Sequence, residues 1–134
     1  MIRASVATLA LALVPVASPA ATCGGANPAI TSVAVQNVTT NGGLNVYHLS
    51  GTVTNLGSMG QPSNTLQFVD IWQYGQKLDD RGIPPLAPGQ SYTFGYDWQR
   101  SSEAANGTTT LSFRMRMRQG EDCNPANGVY RIRF

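Results

Sequence analysis

Residues 51–98 read GTVTNLGSMGQPSNTLQFVDIWQYGQKLDDRGIPPLAPGQSYTFGYDW, and their punctuation decides the fold. An alternating run ends at Val53 and meets the turn Asn55-Leu56-Gly57, and a second apolar run reaches Trp72. Ile83-Pro84-Pro85-Leu86-Ala87-Pro88-Gly89 then interrupts any regular ladder, because proline has no amide proton to donate; such a segment crosses between sheets. From Ser91 to Gln99 every second residue is a ring: Tyr92, Phe94, Tyr96 and Trp98. Period two is the signature of a strand, and at roughly 150–250 Å² of buried surface per ring the four are expected to point inward and dominate a core.

Residues 65–74 offer two competing faces. Val69 and Ile71 share one with Gln67 and Gln73; Leu66, Phe68, Trp72 and Tyr74 share the other with Asp70. Burial of an unpaired carboxylate is costly, so Val69 and Ile71 are expected inside, with Phe68, Asp70 and Trp72 on the outer face.

Upstream, Ile30, Val33 and Val35 mark a strand that ends in the turn residues Thr39-Thr40-Asn41-Gly42-Gly43. Residues 44–54 alternate, with Tyr47, Leu49, Gly51 and Val53 on one side and His48, Ser50, Thr52 and Thr54 on the other. Residues 55–64 read as a loop, and 76–82 as a short, charged edge strand or turn. Downstream, residues 108–119 place Leu111, Phe113, Met115 and Met117 on one face and Ser112, Arg114, Arg116 and Arg118 on the other. After a loop at 120–127, Tyr130, Ile132 and Phe134 are expected inward and Arg131 and Arg133 outward. The pattern contains no clear helix. About seven short antiparallel strands, each with one polar face, predict an all-β, immunoglobulin-like antiparallel two-sheet sandwich.

The first twenty residues explain themselves by processing: Arg3, an apolar run from Ala4 to Val16, and Ser18-Pro19-Ala20 read as a signal peptide, residues 1–20, ahead of a domain at 21–134. This implies a secreted or periplasmic protein. No later run is long and apolar enough to suggest membrane insertion. The formal charge is +2 and becomes +1 once Arg3 is removed, which gives no reason to expect nucleic-acid binding. In an oxidising compartment Cys23 and Cys123 are expected to form a disulfide bond. Cys23 precedes the first strand and Cys123 lies in the last loop, two places that share one end of an immunoglobulin-like sandwich. The alternative is a lipid-anchored Cys23, although Ala20-Ala21-Thr22-Cys23 is a poor lipobox.

Val53-Thr54-Asn55-Leu56-Gly57, Ile71-Trp72-Gln73-Tyr74-Gly75 and Leu86-Ala87-Pro88-Gly89-Gln90-Ser91 together resemble the turns and strand entries of a CARDB-type domain, the cell-adhesion-related module of bacteria. The segment from Gly120 to Asn127, with its cysteine, departs from the acidic and Asn-rich stretch common there. The resemblance implies an extracellular binding or spacer role with no general catalytic residues and no cofactor.

Few groups suggest catalysis. His48 is the single histidine, on the polar face of its strand, so an acid–base reaction would draw on it alone. Glu121, Asp122, Asn124 and Asn127 offer oxygen ligands in one loop, but the spacing fits no EF-hand, and a metal is not expected. Asp79 and Asp80 read as charges protecting an edge, and Asn37-Val38-Thr39 and Asn106-Gly107-Thr108 match the common glycosylation triplet.

The arginine set is the sharpest feature: Arg114, Arg116, Arg118, Arg131 and Arg133 are expected on two adjacent strands facing one way. Like charges directly opposite are destabilising, so something must offset them. Either Asp70 pairs with an arginine while Phe68 and Trp72 stack under guanidinium planes, or an anionic polysaccharide or acidic protein surface does so from outside. On the second reading Arg116→Glu abolishes retention on anionic polymers without loss of stability. The leading expectation is a non-enzymatic module that binds or spaces cell-surface material; the other is an inhibitory or structural accessory subunit gripping a partner with loops 55–64 and 119–127.

Overall fold

A computed structural model describes residues 23–102 and 107–134; the expected signal peptide and Asn106 lie outside the described residues. The strands are β1 (Pro28–Asn41), β2 (Leu44–Asn55), β3 (Leu66–Gln73), β4 (Gln76–Ile83), β5 (Ser91–Ser101), β6 (Thr110–Gln119) and β7 (Val129–Arg133), with a single 3₁₀ turn at Pro125–Asn127. One sheet has the order β1-β2-β5 and the other β4-β3-β6-β7. Every paired neighbour is antiparallel. This is the two-sheet sandwich read from the sequence.

Between the sheets lie Ile30, Val33, Leu49, Val53, Val69, Ile71, Leu86, Phe94, Trp98, Leu111 and Phe113, all buried. Val69 and Ile71 face inward, as the carboxylate argument required. Gln67, on the same face, is hidden too; its amide exchanges hydrogen bonds with Gln61 and donates to the Pro84 carbonyl, so its polarity is satisfied where the chain crosses between sheets. Gly51 is required by packing: a Cβ there would sit 2.1 Å from the tip of the Phe94 ring, which lies against the bare backbone.

Two expectations are corrected. The rings of β5 are not all sealed: Phe94 and Trp98 are buried, Tyr96 is half-buried, and Tyr92 is 39% exposed. β5 is an edge strand and touches β4, the facing edge, only sparsely, so rings near its start lack a roof. Asp70 does lie on the outer face but is buried rather than solvated, 5% exposed, because neighbouring side chains close over it.

The pole that carries Cys23 and Cys123 is tied twice. The two cysteines form a disulfide with their Cα atoms 5.6 Å apart, and Cys23 therefore has no thiol left for a lipid. Beside the bridge, Asn55 is fully buried and uses its whole amide. Its Oδ1 accepts from the main-chain N–H of Asn27 and of Gly57, both at 2.9 Å. Its Nδ2 donates to the carbonyls of Met59 at 2.9 Å and Leu86 at 3.0 Å. One side chain thus clasps the entry to β1, the β2–β3 loop and the crossover before β5. Gly57 follows from the same closeness: a Cβ there would meet the Gly25 carbonyl at 2.0 Å.

Candidate functional site

The outer face of the four-stranded sheet carries the arginines. β6 pairs with β7 so that Arg114 opposes Val129, Ser112 opposes Arg131 and Thr110 opposes Arg133. No two arginines of this pair of strands stand directly across from one another, which is how the sheet tolerates them. On its other side β6 sets Arg114 opposite Asp70 and Arg116 opposite Phe68.

Asp70 is claimed diagonally. Arg116 Nε donates to Asp70 Oδ2 at 2.8 Å, and Arg116 Nη2 reaches Asp80 Oδ2 at 3.5 Å. Lys77 Nζ approaches Asp80 Oδ2 at 2.9 Å and Asp70 Oδ1 at 3.4 Å. The hydrogen bond to Asp70 raises the pKa of Arg116 further, and that to Asp80 does the same for Lys77. The guanidinium of Arg116 also lies 4.5 Å from the centre of the Phe68 ring, and that of Arg114 lies 5.4 Å from the Trp72 ring. The internal offset anticipated from the sequence is therefore built for Arg116, Asp70 and Phe68, with Lys77 and Asp80 added from β4. Those last two were invisible as partners in the sequence, because only the β3–β4 register places Asp80 opposite Asp70.

The remainder differ. Arg114, Arg118, Arg131 and Arg133 are exposed, and among the described residues none of them has a carboxylate within 4.0 Å. Six cations on this face (Lys77 and five arginines) meet two carboxylates, Asp70 and Asp80, a local excess of four positive charges.

Arg116 is accordingly a poor probe of ligand binding. Arg116→Glu sets a second carboxylate against buried Asp70, and its expected effect is a loss of stability of about 3–5 kcal/mol, read as a lower melting temperature. This reverses the expectation of unchanged stability drawn from sequence.

Elsewhere, His48 lies on the outer face of the three-stranded sheet, as its alternation implied. Its Nδ1 is 2.7 Å from Asp97 Oδ1 on β5, and its Nε2 is 3.0 Å from Thr39 Oγ1 on β1, so it braces three strands on an open surface. Asp79 lies at the seam between β4 and β5, where Arg81 Nη1 meets its Oδ2 at 2.8 Å and holds its pKa below the usual carboxylate value. Arg81 Nε also donates to the Gly95 carbonyl on β5 at 2.8 Å, linking the two sheets. In the last loop Asp122 Oδ1 accepts from the Asn124 N–H at 3.0 Å, and partial burial raises the Asp122 pKa. Among the described residues no three His, Cys, Asp or Glu side chains gather as a metal would require, and no helix is long and apolar enough to cross a membrane. At the disulfide pole a cavity of about 380 Å³ is lined by Gly25, Ala26, Met59, Pro62 and Glu121 among others.

Comparison with protein-family descriptions and with curated proteins finds no match. Among solved structures the chain is similar to the CARDB domain of a Pyrococcus furiosus protein, a crystal structure in complex with di-metal ions. Identity is 16%, the match covers 84% of this chain and 94% of that one, and the TM-score is 0.63. At that identity the likeness concerns the fold. The chain thus has the CARDB-type immunoglobulin-like architecture, in the form of a three-stranded sheet packed on a four-stranded one.

Proposed function

We propose that the protein is an exported, non-enzymatic module that binds anionic polysaccharide through the outer face of β3, β6 and β7. The CARDB-type fold is a non-catalytic kind of module, which supports the reading at the level of class. The observation that carries it further is the pair of exposed guanidinium groups at Arg131 and Arg133, beside the start of β6, joined by Arg118 at the far end of that strand, all without acidic partners among the described residues. Exposed guanidinium forks match carboxylate and sulfate oxygens in pairs, and Trp72, half-buried under Arg114, offers a ring edge beside them. An acidic protein surface would meet the same charges, but the two rings on this face, Phe68 and Trp72, are covered by Arg116 and Arg114, which leaves no free hydrophobic anchor, so a flexible polyanion suits it better.

The test is retention on immobilised heparin and alginate, with uncharged agarose as control. The wild type is expected to elute later as salt is lowered. Arg131→Glu combined with Arg133→Glu is expected to abolish retention while shifting stability by under about 0.5 kcal/mol, since both side chains are exposed. Equal retention of the double variant overturns the proposal.

A second reading rests on the cavity at the disulfide pole, where Met59 is 58% exposed beside it. There the loops at 55–64 and 119–127 would hold a protein partner. Met59→Arg would then remove a partner captured from the native envelope while leaving heparin retention unchanged.

A further inference from the structure

The four edge strands of this sandwich are not protected alike. An unpaired edge exposes a row of free N–H and C=O groups, and proteins blunt such rows with charge, shortness or cover. β4 carries Lys77, Asp79, Asp80 and Arg81. β5 carries Asp97 and Arg100 and has its Gly95 carbonyl taken by Arg81. β7 is five residues long and carries Arg131 and Arg133. β1 spans 14 residues, PAITSVAVQNVTTN, without one charged side chain and with proline only at its first position. Its bulges between Ile30 and Ser32 and between Val35 and Asn37 bend the strand but add no charge.

The second bulge has a consequence for which residues face inward. Val35 pairs with Leu49 and Val38 with Tyr47, so both valines point to the core side of the sheet. The facing edge, β7, is too short to cover them, and they remain 40% and 45% exposed. Among the described residues no strand pairs with the outer edge of β1, whose second half therefore presents open main-chain groups and two uncovered valines on one face.

We propose that β1 is a homodimer edge, pairing antiparallel with β1 of a second copy to form a continuous six-stranded sheet. A second copy fits because a twofold axis brings each strand onto itself. Self-pairing of β7 would bring Arg131 and Arg133 together, and β4 and β5 are charged edges already tied to each other through Arg81, whereas β1 meets no such obstacle. A charged partner, conversely, would find no counter-charge along this edge. Pairing centred on Gln36 and Asn37 sets Val35 of one copy against Val38 of the other, covering the valines that the protein's own second sheet leaves open.

The test is sedimentation of the exported, disulfide-bonded protein across a concentration series. The wild type is expected to be a dimer at about 100 µM; interior-facing charge at the edge, as Val38→Lys or separately Val35→Lys, is expected to weaken association at least tenfold with monomer folding retained, because both sites are already half-exposed. Thr93→Lys, on the exposed face of β5, is expected to leave the dimer intact. Independently of any variant, exchange at the edge-facing amides of β1, those not bonded to β2, should be slow in concentrated wild-type protein and fast on dilution. A wild type monomeric to about 1 mM, a dimer unaffected by both valine variants, dissociation by Thr93→Lys, or edge-facing β1 amides that exchange fast at every concentration overturns the proposal. So does protection of β1 solely by the extended chain of a different protein.

Discussion

Replacing Cys23 and Cys123 together by alanine is expected to lower the unfolding free energy by about 4–5 kcal/mol, the chain-entropy value for a closed loop of this length. The two residues are 100 positions apart, so the bridge restricts most of the unfolded chain. A domain of this size typically has a total stability of about 5–15 kcal/mol, and the variant is expected to be folded but marginal at physiological temperature. Guanidinium titration of the oxidised wild type against the double variant measures the difference. Reductant should shift the wild type toward the variant and leave the variant unmoved. The main-chain bond from Cys123 N–H to the Ala26 carbonyl, 2.9 Å, is retained in both proteins, so the comparison isolates the covalent tie. A difference below about 1 kcal/mol would mean that the reduced chain keeps its ends together by itself, contrary to the entropy model.

Asn55→Ala is expected to cost about 3–5 kcal/mol, comparable to the disulfide. Four hydrogen bonds end on this one fully buried amide. The truncated variant leaves the N–H groups of Asn27 and Gly57 facing a cavity, and each stranded buried group costs about 1–3 kcal/mol. The Leu86 carbonyl is better placed, because it still accepts from the Gln61 N–H at 2.9 Å. Asn55→Asp is more diagnostic. It preserves the acceptor for both N–H groups but turns an oxygen toward the Met59 and Leu86 carbonyls, where the amide donated. The carboxylate is disfavoured there and its protonated form is favoured, since an O–H can donate to one carbonyl. Its folded pKa is then raised above its unfolded value, so the folded state binds more protons and relative stability rises as pH falls through the folded pKa. Denaturation at pH 7 and pH 4.5, normalised to the wild type, reads this directly. An Asn55→Asp penalty that does not shrink on acidification would contradict the donor role assigned to Nδ2.

The strand layout was legible because alternation is a local property: Leu49 and Val53, Val69 and Ile71, and Leu111 and Phe113 all face the core as their spacing implied. The proline-rich segment at 83–89 likewise announced a change of sheet, since its backbone cannot sustain a ladder. Alternation does not report what lies opposite a face. Tyr92 has the correct parity for burial yet stays half in solvent, because it is carried on an edge strand. Asp70 has the correct parity for exposure yet is enclosed by Arg116 and Lys77, whose reach across strands depends on register. The same limit applies to the arginines. Their common face could be read from period two, but only pairing distinguishes Arg116, held by two aspartates, from Arg131 and Arg133, which are not. Asn55 was recognisable as a turn residue before glycine; its contacts at Asn27 and Leu86, 28 and 31 positions away, were not.

The covalent link between residues 23 and 123 also fixes how tension can travel through this protein. A pull applied before Cys23 and after Phe134 passes from one sulfur to the other and bypasses the polypeptide between them. Only the segment beyond Cys123, about eleven residues and so at most roughly 40 Å of contour at ~3.5 Å per residue, can be drawn out under load. A reduced chain would yield nearly ten times that length. In a surface filament or tether the oxidised domain would therefore act as an almost inextensible coupling, with β7 as its single short element of give.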